Sequence, residues 1–159
     1  MGYDRTKPTH LKFGIIDGFP YPNFEGLMAA SEVLKAKGAN IVVRDSSGHY
    51  AMAAATTALC YGIVLDAADE TTSSTAGATK KTIVPATSFP RMLMKVLTGT
   101  VAQTDVGKTC DLVLSSSRMG VNVDASTYDP ILILSVDVTN NEIIGTFNPA
   151  NLTGYSGTV

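Results

Sequence analysis

Histidine is the side chain that most often serves as a general base, and this chain has two. His10 lies in a proline-containing stretch, and His49 follows a turn-forming glycine. Neither stands at a spacing that would pair it with a serine or cysteine nucleophile. The G-x-S-x-G pattern of a nucleophile elbow is also absent. The sequence therefore predicts no histidine-based nucleophilic catalysis.

The segment Val106-Gly107-Lys108-Thr109 matches the end of a phosphate-binding P-loop. That loop needs an earlier glycine five residues before the second, so that backbone N–H groups can surround the phosphates. Ala102 occupies this position, and no helix-forming run follows Thr109. We therefore expect no nucleotide to bind through a P-loop.

Asp66, Asp69 and Glu70 form a small acidic group that could bind a hard cation or do acid–base work. The D-x-D-x-D-G pattern of a calcium loop is absent, so we interpret the group as part of a solvated loop. The sequence predicts no metal site, no cofactor and no catalytic residue. Met92-Leu93-Met94 is open to two interpretations, an adaptable binding surface or core filler, and the second is the commoner role of methionine.

Composition limits the classes of partner. The formal net charge is −2 and charged residues make up only 16% of the chain. The densest basic spot is Lys80-Lys81, which falls short of the basic stripe that nucleic-acid binders use to neutralise phosphates. The mean hydropathy of +0.16 is high for a soluble monomer and indicates that a partner covers some apolar surface.

The two cysteines, Cys60 and Cys110, lie in apolar segments without a framework spacing. We expect free buried thiols in a reducing compartment, with a single long-range disulfide as the alternative. No run approaches the roughly 18 apolar residues of a membrane span, and the first residues lack the pattern of a signal peptide. We therefore expect no membrane association and no export.

Short apolar runs separated by turn residues predict a mainly β protein. We predict strands at 39–44, 60–65, 82–84, 92–97, 111–114, 131–138 and 142–147. Turns are predicted at Asp45-Ser46-Ser47-Gly48 and at Thr139-Asn140-Asn141. Residues 67–80 are small and polar and are typical of a long exposed loop, and the tail from Asn148 is predicted to be loose.

Residues 24–37 carry conflicting signals. Asn23 suits a helix N-cap and Gly38 a C′ position, so local preferences favour a helix slightly. The alternative is a strand through 30–34 followed by a tight turn at 35–38. Before this segment, three prolines favour an extended arm whose aromatic residues pack against the chain's own barrel or against a neighbouring subunit.

The expected fold is a small β-barrel or sandwich, with two β modules as one form of it, an extended N-terminal arm and at most one short helix. The corresponding boundaries are 1–29 for the arm, 30–97 for the first module and 98–159 for the second module with its tail. The candidate contact elements are the 67–80 loop and the arm. The candidate contact residues are Tyr3, Phe13, Phe19, Tyr21 and Phe24.

Two segments, ASEVLKAKGA at 30–39 and VVRDSSG at 42–48, resemble the opening of tailed-phage head decoration (capsid cement) proteins. In those proteins an extended segment turns at a glycine and runs through an apolar strand into an Asp-Ser-Gly hairpin. The alanine-rich stretch 51–58, the strand YGIVLD at 61–66 and the element TDVGK at 104–108 are similar to later parts of the family. The resemblance spans residues 30–147 and favours strand and turn over helix at 30–38, leaving a short helix before residue 30 as an option.

The resemblance implies a non-enzymatic virion protein, made in the host cytoplasm, that binds the major capsid protein on the capsid exterior and stabilises the mature head. It also implies a homo-oligomer, with a trimer favoured because it matches the local threefold positions of a capsid lattice. Two alternatives stay open. One is a trimeric nucleotide hydrolase of small β fold whose carboxylates hold Mg²⁺. The other is a β-barrel adaptor of a phage tail or baseplate.

Overall fold

The computed structural model describes residues 14–15, 20–36, 38–65, 68–116 and 118–152. The protein is mainly β, with 43% of the described residues in strands, as the sequence predicts. The strands are β1 Gly14–Ile15, β2 Phe24–Leu27, β3 Val33–Leu34, β4 Ile41–Arg44, β5 Tyr50–Met52, β6 Gly62–Val64, β7 Glu70–Thr71, β8 Lys80–Pro85, β9 Met92–Thr98, β10 Thr109–Leu114, β11 Met119–Asn122, β12 Ile131–Asp137 and β13 Glu142–Phe147. The short helix α1 covers Pro149–Leu152.

The last five strands form a closed barrel, here called the C-terminal barrel. Their order is β9-β11-β10-β12-β13, and β13 pairs back with β9. The β9–β11 pair is parallel and the other pairs are antiparallel. Strand β1 extends the sheet beside the first residues of β9, where Gly14 faces Leu93. Because the sheet closes on itself, its five strands leave no open edge among themselves.

The earlier strands form a second sheet, here called the N-terminal sheet, in the order β2-β8-β6-β4-β5. All its ladder pairs are antiparallel. Its two edges meet at an isolated bridge between Met28 and Tyr50, where the N–H of Ala29 donates to the carbonyl oxygen of Tyr50 at 2.8 Å. The sheet therefore curls around its own small core, which includes Met28, Tyr50 and Ile83.

The two sheets share a second, larger cluster of buried side chains, here called the main core. Successive residues of a strand point to opposite faces. Val42, Val64 and Ile83 face the small core, and their neighbours Ile41, Ile63 and Val84 belong to the main core. The other members include Met92, Met94, Leu112, Ile133 and Phe147 of the C-terminal barrel. Within β4, β6 and β8, the pairs Ile41–Val42, Ile63–Val64 and Ile83–Val84 are thus buried on both faces of the sheet, which explains why both residues of each pair are apolar.

Between the two sheets, the chain passes from β8 to β9 through a single 3₁₀ turn at Ala86–Ser88. Strand β2 lies before residue 30, the expected start of the first module, but pairs with β8 in the N-terminal sheet. Strand β9 continues past residue 97, the expected end of the first module. Among the described residues, it pairs only within the six-stranded sheet that includes the C-terminal barrel. The helix α1 ties the two parts together, because the Asn151 amide donates to the carbonyl oxygens of Ala58 at 3.1 Å and Asp129 at 2.8 Å.

The helix considered for residues 24–37 is wrong, including the short helix before residue 30. Strand β2 pairs residue by residue with β8, from Phe24 opposite Ile83 to Leu27 opposite Lys80. These ladder bonds outweigh the weak capping signals. The expected turn at 35–38 is present, since the N–H of Gly38 donates to the Lys35 carbonyl oxygen at 2.9 Å. The predicted loose tail is also wrong for its described part, because Leu152 of α1 is buried in the main core.

Gly62 in β6 gives a first testable prediction. A Cβ at this position would lie 2.4 Å from the Val84 carbonyl oxygen and 2.8 Å from the Ile83 Cγ2 atom. The backbone oxygen cannot move aside without disturbing the β6–β8 ladder. We expect Gly62→Ala to lower the free energy of unfolding by about 1–3 kcal/mol, measured by urea unfolding. A variant as stable as the wild type would contradict this close approach of β6 to β8.

Candidate interaction surface

Of the five predicted contact residues, the two that the structure describes pack within the chain. The Tyr21 ring packs against the main core, and its hydroxyl accepts a hydrogen bond from the Arg91 N–H at 3.3 Å. The Phe24 ring lies 5.5 Å from the Tyr50 ring, between centroids. Tyr3, Phe13 and Phe19 lie outside the described residues. Tyr21 and Phe24 therefore already serve intramolecular packing.

The loop expected at 67–80 is confirmed for residues 72–79, which lie in no strand or helix and, apart from Thr72, are exposed or half-buried. The exception is Glu70–Thr71, which forms β7 and pairs with β3. The Thr72 hydroxyl donates to the Ala29 carbonyl oxygen at 2.8 Å, and the Gly77 N–H donates to the Met28 carbonyl oxygen at 2.9 Å. These long-range bonds, which the sequence does not predict, attach the loop to the N-terminal sheet.

The acidic group and His49 also have structural partners. Asp69 Oδ1 accepts the Ala36 N–H at 3.0 Å, and the Glu70 carboxylate forms an ion pair with Lys81. His49 Nδ1 lies 3.8 Å from Asp45 Oδ2. Asp66 and His10 lie outside the described residues. Within the described part of the chain, no three His, Cys, Asp or Glu side chains converge on a possible metal position.

The P-loop-like segment has a different geometry from a phosphate loop. The Lys108 ammonium donates to Asp105 Oδ1 at 2.8 Å. The Thr109 hydroxyl donates to Asp129 Oδ1 at 2.6 Å. Thr109 begins the strand β10, where a P-loop would begin a helix. The segment therefore lacks the loop-to-helix geometry of a P-loop, in agreement with the missing glycine at Ala102.

The Met92-Leu93-Met94 segment is buried throughout, but its side chains lie on two faces of β9. Met92 and Met94 are fully buried and belong to the main core, which confirms the interpretation as core filler. Leu93, 4% exposed, lies on the other face of β9, opposite Ile144 of β13. Ile144 in turn lies opposite Ser135 of β12. These three residues form a row across the outer face of the barrel.

This row forms the floor of a depression of ≈ 200 Å³, which Val136 and Ile143 also line. At one end lie Asp137 and Glu142, which face each other across the β12–β13 hairpin. The Lys95 ammonium is 3.9 Å from Glu142 Oε1. The depression is therefore lined mainly by apolar side chains, of which Leu93 and Ile143 are buried, and the buried Glu142 carboxylate lies at one end.

Large apolar side chains are also exposed elsewhere on the described surface. In that part of the chain, the large hydrophobic residues at least 36% exposed are Leu27, Val33, Leu59, Leu65, Phe89, Val106, Leu114, Tyr128, Leu134 and Val138. Leu134 points outward by the alternation of β12, in which Ile131 and Ile133 are buried, and it has no opposite residue on β13 because of the β-bulge between Ile133 and Ser135. Both parts of the molecule thus expose large apolar side chains.

Both cysteines are free and buried. Burial raises the pKa of the Cys60 thiol and of the Cys110 thiol to about 12, and nearby carboxylates add to the effect at Cys110. The reactive thiolate is therefore roughly a 10⁻⁴ fraction of either thiol at pH 8. We expect neither cysteine to react with a thiol reagent in the native protein, and both to react in denaturant. Rapid labelling of either native thiol would contradict this burial.

No helix in the described part of the chain has the length and apolar character needed to cross a membrane. Comparison of the sequence and structure with protein-family models, curated proteins and solved structures found no match.

Proposed function

We propose that this chain is a structural virion protein that binds the outer surface of the major capsid lattice and stabilises the mature phage head. The observation that carries the proposal is the set of large apolar side chains exposed on both the N-terminal sheet, such as Leu27, and the C-terminal barrel, such as Leu114 and Leu134. Covering these side chains with a partner would remove apolar surface from water, which favours binding. Binding rather than catalysis is the activity that such a surface supports.

The shared core suits this role. Because the main core includes residues of both sheets, the two parts are packed around common side chains. A preorganised surface loses little conformational entropy on binding, so more of its contact energy appears as affinity. Contacts to several lattice subunits would multiply this affinity. Any protein that binds the expanded shell better than its free subunits stabilises that shell by mass action.

The resemblance to head decoration proteins supports the same function. The segment on which it rests forms β3, a turn ending at Gly38, β4 and a hairpin turn closed by Gly48. This order of elements agrees with the pattern of that family. Of the two carboxylates that could serve a nucleotide hydrolase, Asp66 lies outside the described residues and Asp69 accepts the Ala36 N–H, so no observation on the described residues favours that alternative.

A homotrimer is the oligomer that we propose. We expect a native mass near three times the 16.7 kDa of one chain, measured by light scattering on purified protein. A trimer would place three copies of each surface around a local threefold position of the lattice. A single species at the mass of one chain would contradict this part of the proposal.

Co-sedimentation tests the function directly. Purified protein is mixed with expanded, undecorated phage capsids and with unexpanded precursor shells, and the pellets are quantified. We expect saturable retention on expanded capsids, weaker retention on precursor shells, and none for an unrelated acidic protein of similar size. Retention no higher than that of the unrelated protein would overturn the proposed function.

A further inference from the structure

Each strand of the C-terminal barrel has a neighbour on both sides, but the strands are staggered and β12 extends beyond the start of β10. On the β10 side, the ladder covers only the first two residues of β12. After them, the Ile133 N–H donates to the Lys108 carbonyl oxygen at 2.9 Å, and the Ile133 carbonyl oxygen accepts the Gly107 N–H at 2.8 Å. Among the described residues, no strand pairs with β12 on this side beyond Ile133. We call residues 134–138 the β12 end.

The alternation of the ladder places the Val136 backbone on this unpaired side. In an antiparallel ladder, the N–H and the carbonyl oxygen of one residue point to the same side, and successive residues point to opposite sides. The Asn141 carbonyl oxygen accepts the Val96 N–H of β9 at 3.2 Å, so Glu142 and Ile144 of β13 bond to β12. They lie opposite the residues on either side of Val136. Val136 therefore directs its N–H and its carbonyl oxygen away from β13.

The side chains of the β12 end leave it open to pairing with another strand. Edge strands of soluble proteins usually carry lysine, proline or an inward charge that prevents such pairing. Residues 134–138 include no lysine or proline, and their one charged residue, Asp137, bonds to the N–H and side-chain amide of Asn140 in the same hairpin. Leu134 is 37% exposed and Val138 is 54% exposed. The β12 end thus offers backbone groups and apolar side chains to an added strand.

A strand of suitable charge precedes β1 in the same sequence. Residues 1–13, here called the leading segment, end at Gly14, which pairs with Leu93 of β9. The leading segment contains one acidic residue, Asp4, and three basic residues, so its formal charge is +2. Because the whole chain has a charge of −2, residues 14–159 carry −4. The leading segment of one copy is therefore attracted to the rest of another copy.

The leading segment is also long enough to reach a neighbouring copy. Fully extended, it would span about 40 Å, whereas a folded chain of this length has a radius of gyration of about 15 Å. Residues 2–7 contain no proline, and Pro8, which lacks an N–H, ends the stretch that can pair. A path to β12 of the same chain would have to cross the outside of β11 and β10, because β1 and β11 lie on the same side of β9.

We propose that the β12 end binds residues 2–7 of a neighbouring copy as an added strand, an inference that rests on the homotrimer of the proposed function. The added strand would bond to the Val136 backbone, and its side chains would lie beside Leu134. Such a contact is heterologous, because the leading segment of one copy meets the β12 end of the next. Three such contacts close a ring around a threefold axis.

Light scattering over a range of protein concentrations tests this contact with three variants of the full chain. Leu134→Lys places a charge on the β12 end, and Leu59→Lys is the matched control at a leucine that is 43% exposed between β5 and β6. The double variant Asp4→Pro with Arg5→Pro removes two successive N–H groups from the leading segment and leaves its net charge unchanged. Thermal melting verifies that each variant is folded, and the double variant keeps the test valid if Leu134→Lys does not fold.

We expect the concentration at which half of the trimer has dissociated to rise at least about tenfold in Leu134→Lys and in the double variant, and to stay within about twofold in Leu59→Lys. Cross-linking from Tyr3, replaced by the photoreactive benzoylphenylalanine, identifies the partner. We expect a product of two chain masses on a denaturing gel, with the link mapped to residues 134–138 by mass spectrometry.

A link within one chain, no link to the β12 end, or wild-type association in both variants would overturn the added-strand inference. A wild type that stays monomeric would overturn the homotrimer and this inference together. Co-sedimentation with expanded capsids is read separately, so retention of the wild type would leave capsid binding standing in each of these cases. No retention of the wild type would instead overturn the proposed function.

Discussion

Replacing Asp111 by alanine is expected to lower the free energy of unfolding by about 3–5 kcal/mol. Asp111 is a buried carboxylate on β10, with 6% of its surface exposed. Its Oδ1 accepts the N–H groups of Tyr128 at 2.8 Å and Asp129 at 2.9 Å, and its Oδ2 accepts that of Thr127 at 3.1 Å. The alanine variant would leave these three backbone donors without their acceptor, so the connection from β11 to β12 would lose its anchor.

Urea unfolding of Asp111→Ala beside Asp124→Ala measures this effect. Asp124 is the matched control, because its exposed side chain lies in the same connection. We expect the control to remain within about 0.5 kcal/mol of the wild type. A loss below about 1 kcal/mol in Asp111→Ala would contradict the anchoring role of this carboxylate.

Replacing Phe147 by alanine is expected to cost about 3–5 kcal/mol, because a large ring is removed from a packed core. Phe147 is 1% exposed and ends β13 inside the main core, which it shares with Ile41, Ile63 and Val84 of the N-terminal sheet. If this core holds both parts together, they unfold as one unit. The melting transition should therefore move to lower temperature as a whole.

Calorimetry of Phe147→Ala tests this coupling. We expect a single transition with equal calorimetric and van't Hoff enthalpies, as in a two-state protein. Phe89→Ala serves as the control, since Phe89 is 40% exposed, and its loss should change the melting temperature little. Two separate transitions, of which only one shifts in Phe147→Ala, would show that the sheets are energetically independent.

The parts of the fold that local chemistry determines could be predicted from sequence. The turn at Asp45-Ser46-Ser47-Gly48 is closed by a glycine with a φ of 86°. The β12–β13 turn places Asn141 at a φ of 52°, which asparagine tolerates better than most residues. At both sites the residue type meets the conformational requirement of the turn, and the adjoining strands β4, β12 and β13 are predicted from their apolar runs.

The elements that depend on distant partners were not predicted. Strand β11 is short and pairs in parallel with β9, and β5 lies in an alanine-rich stretch with little β propensity. Strand β2 carries local signals for a helix but pairs with β8. In each case the ladder to a remote strand supplies the stability, and a sequence window does not contain that strand.

The candidate surfaces show the same limit. Tyr21 and Phe24 were predicted as contact residues because aromatic residues on an extended segment need a partner, and their partner proves to be the chain's own core. The Arg44 guanidinium carbon lies 5.9 Å from the centroid of the Tyr61 ring, a contact that the sequence does not predict because the two residues lie far apart along the chain.

Cryo-electron microscopy of expanded capsids incubated with this protein tests the proposed function most directly. We predict ordered density on the outer surface of the shell, at regular lattice positions, into which the N-terminal sheet and the C-terminal barrel fit. Shells that remain bare at saturating protein concentration would contradict the proposal.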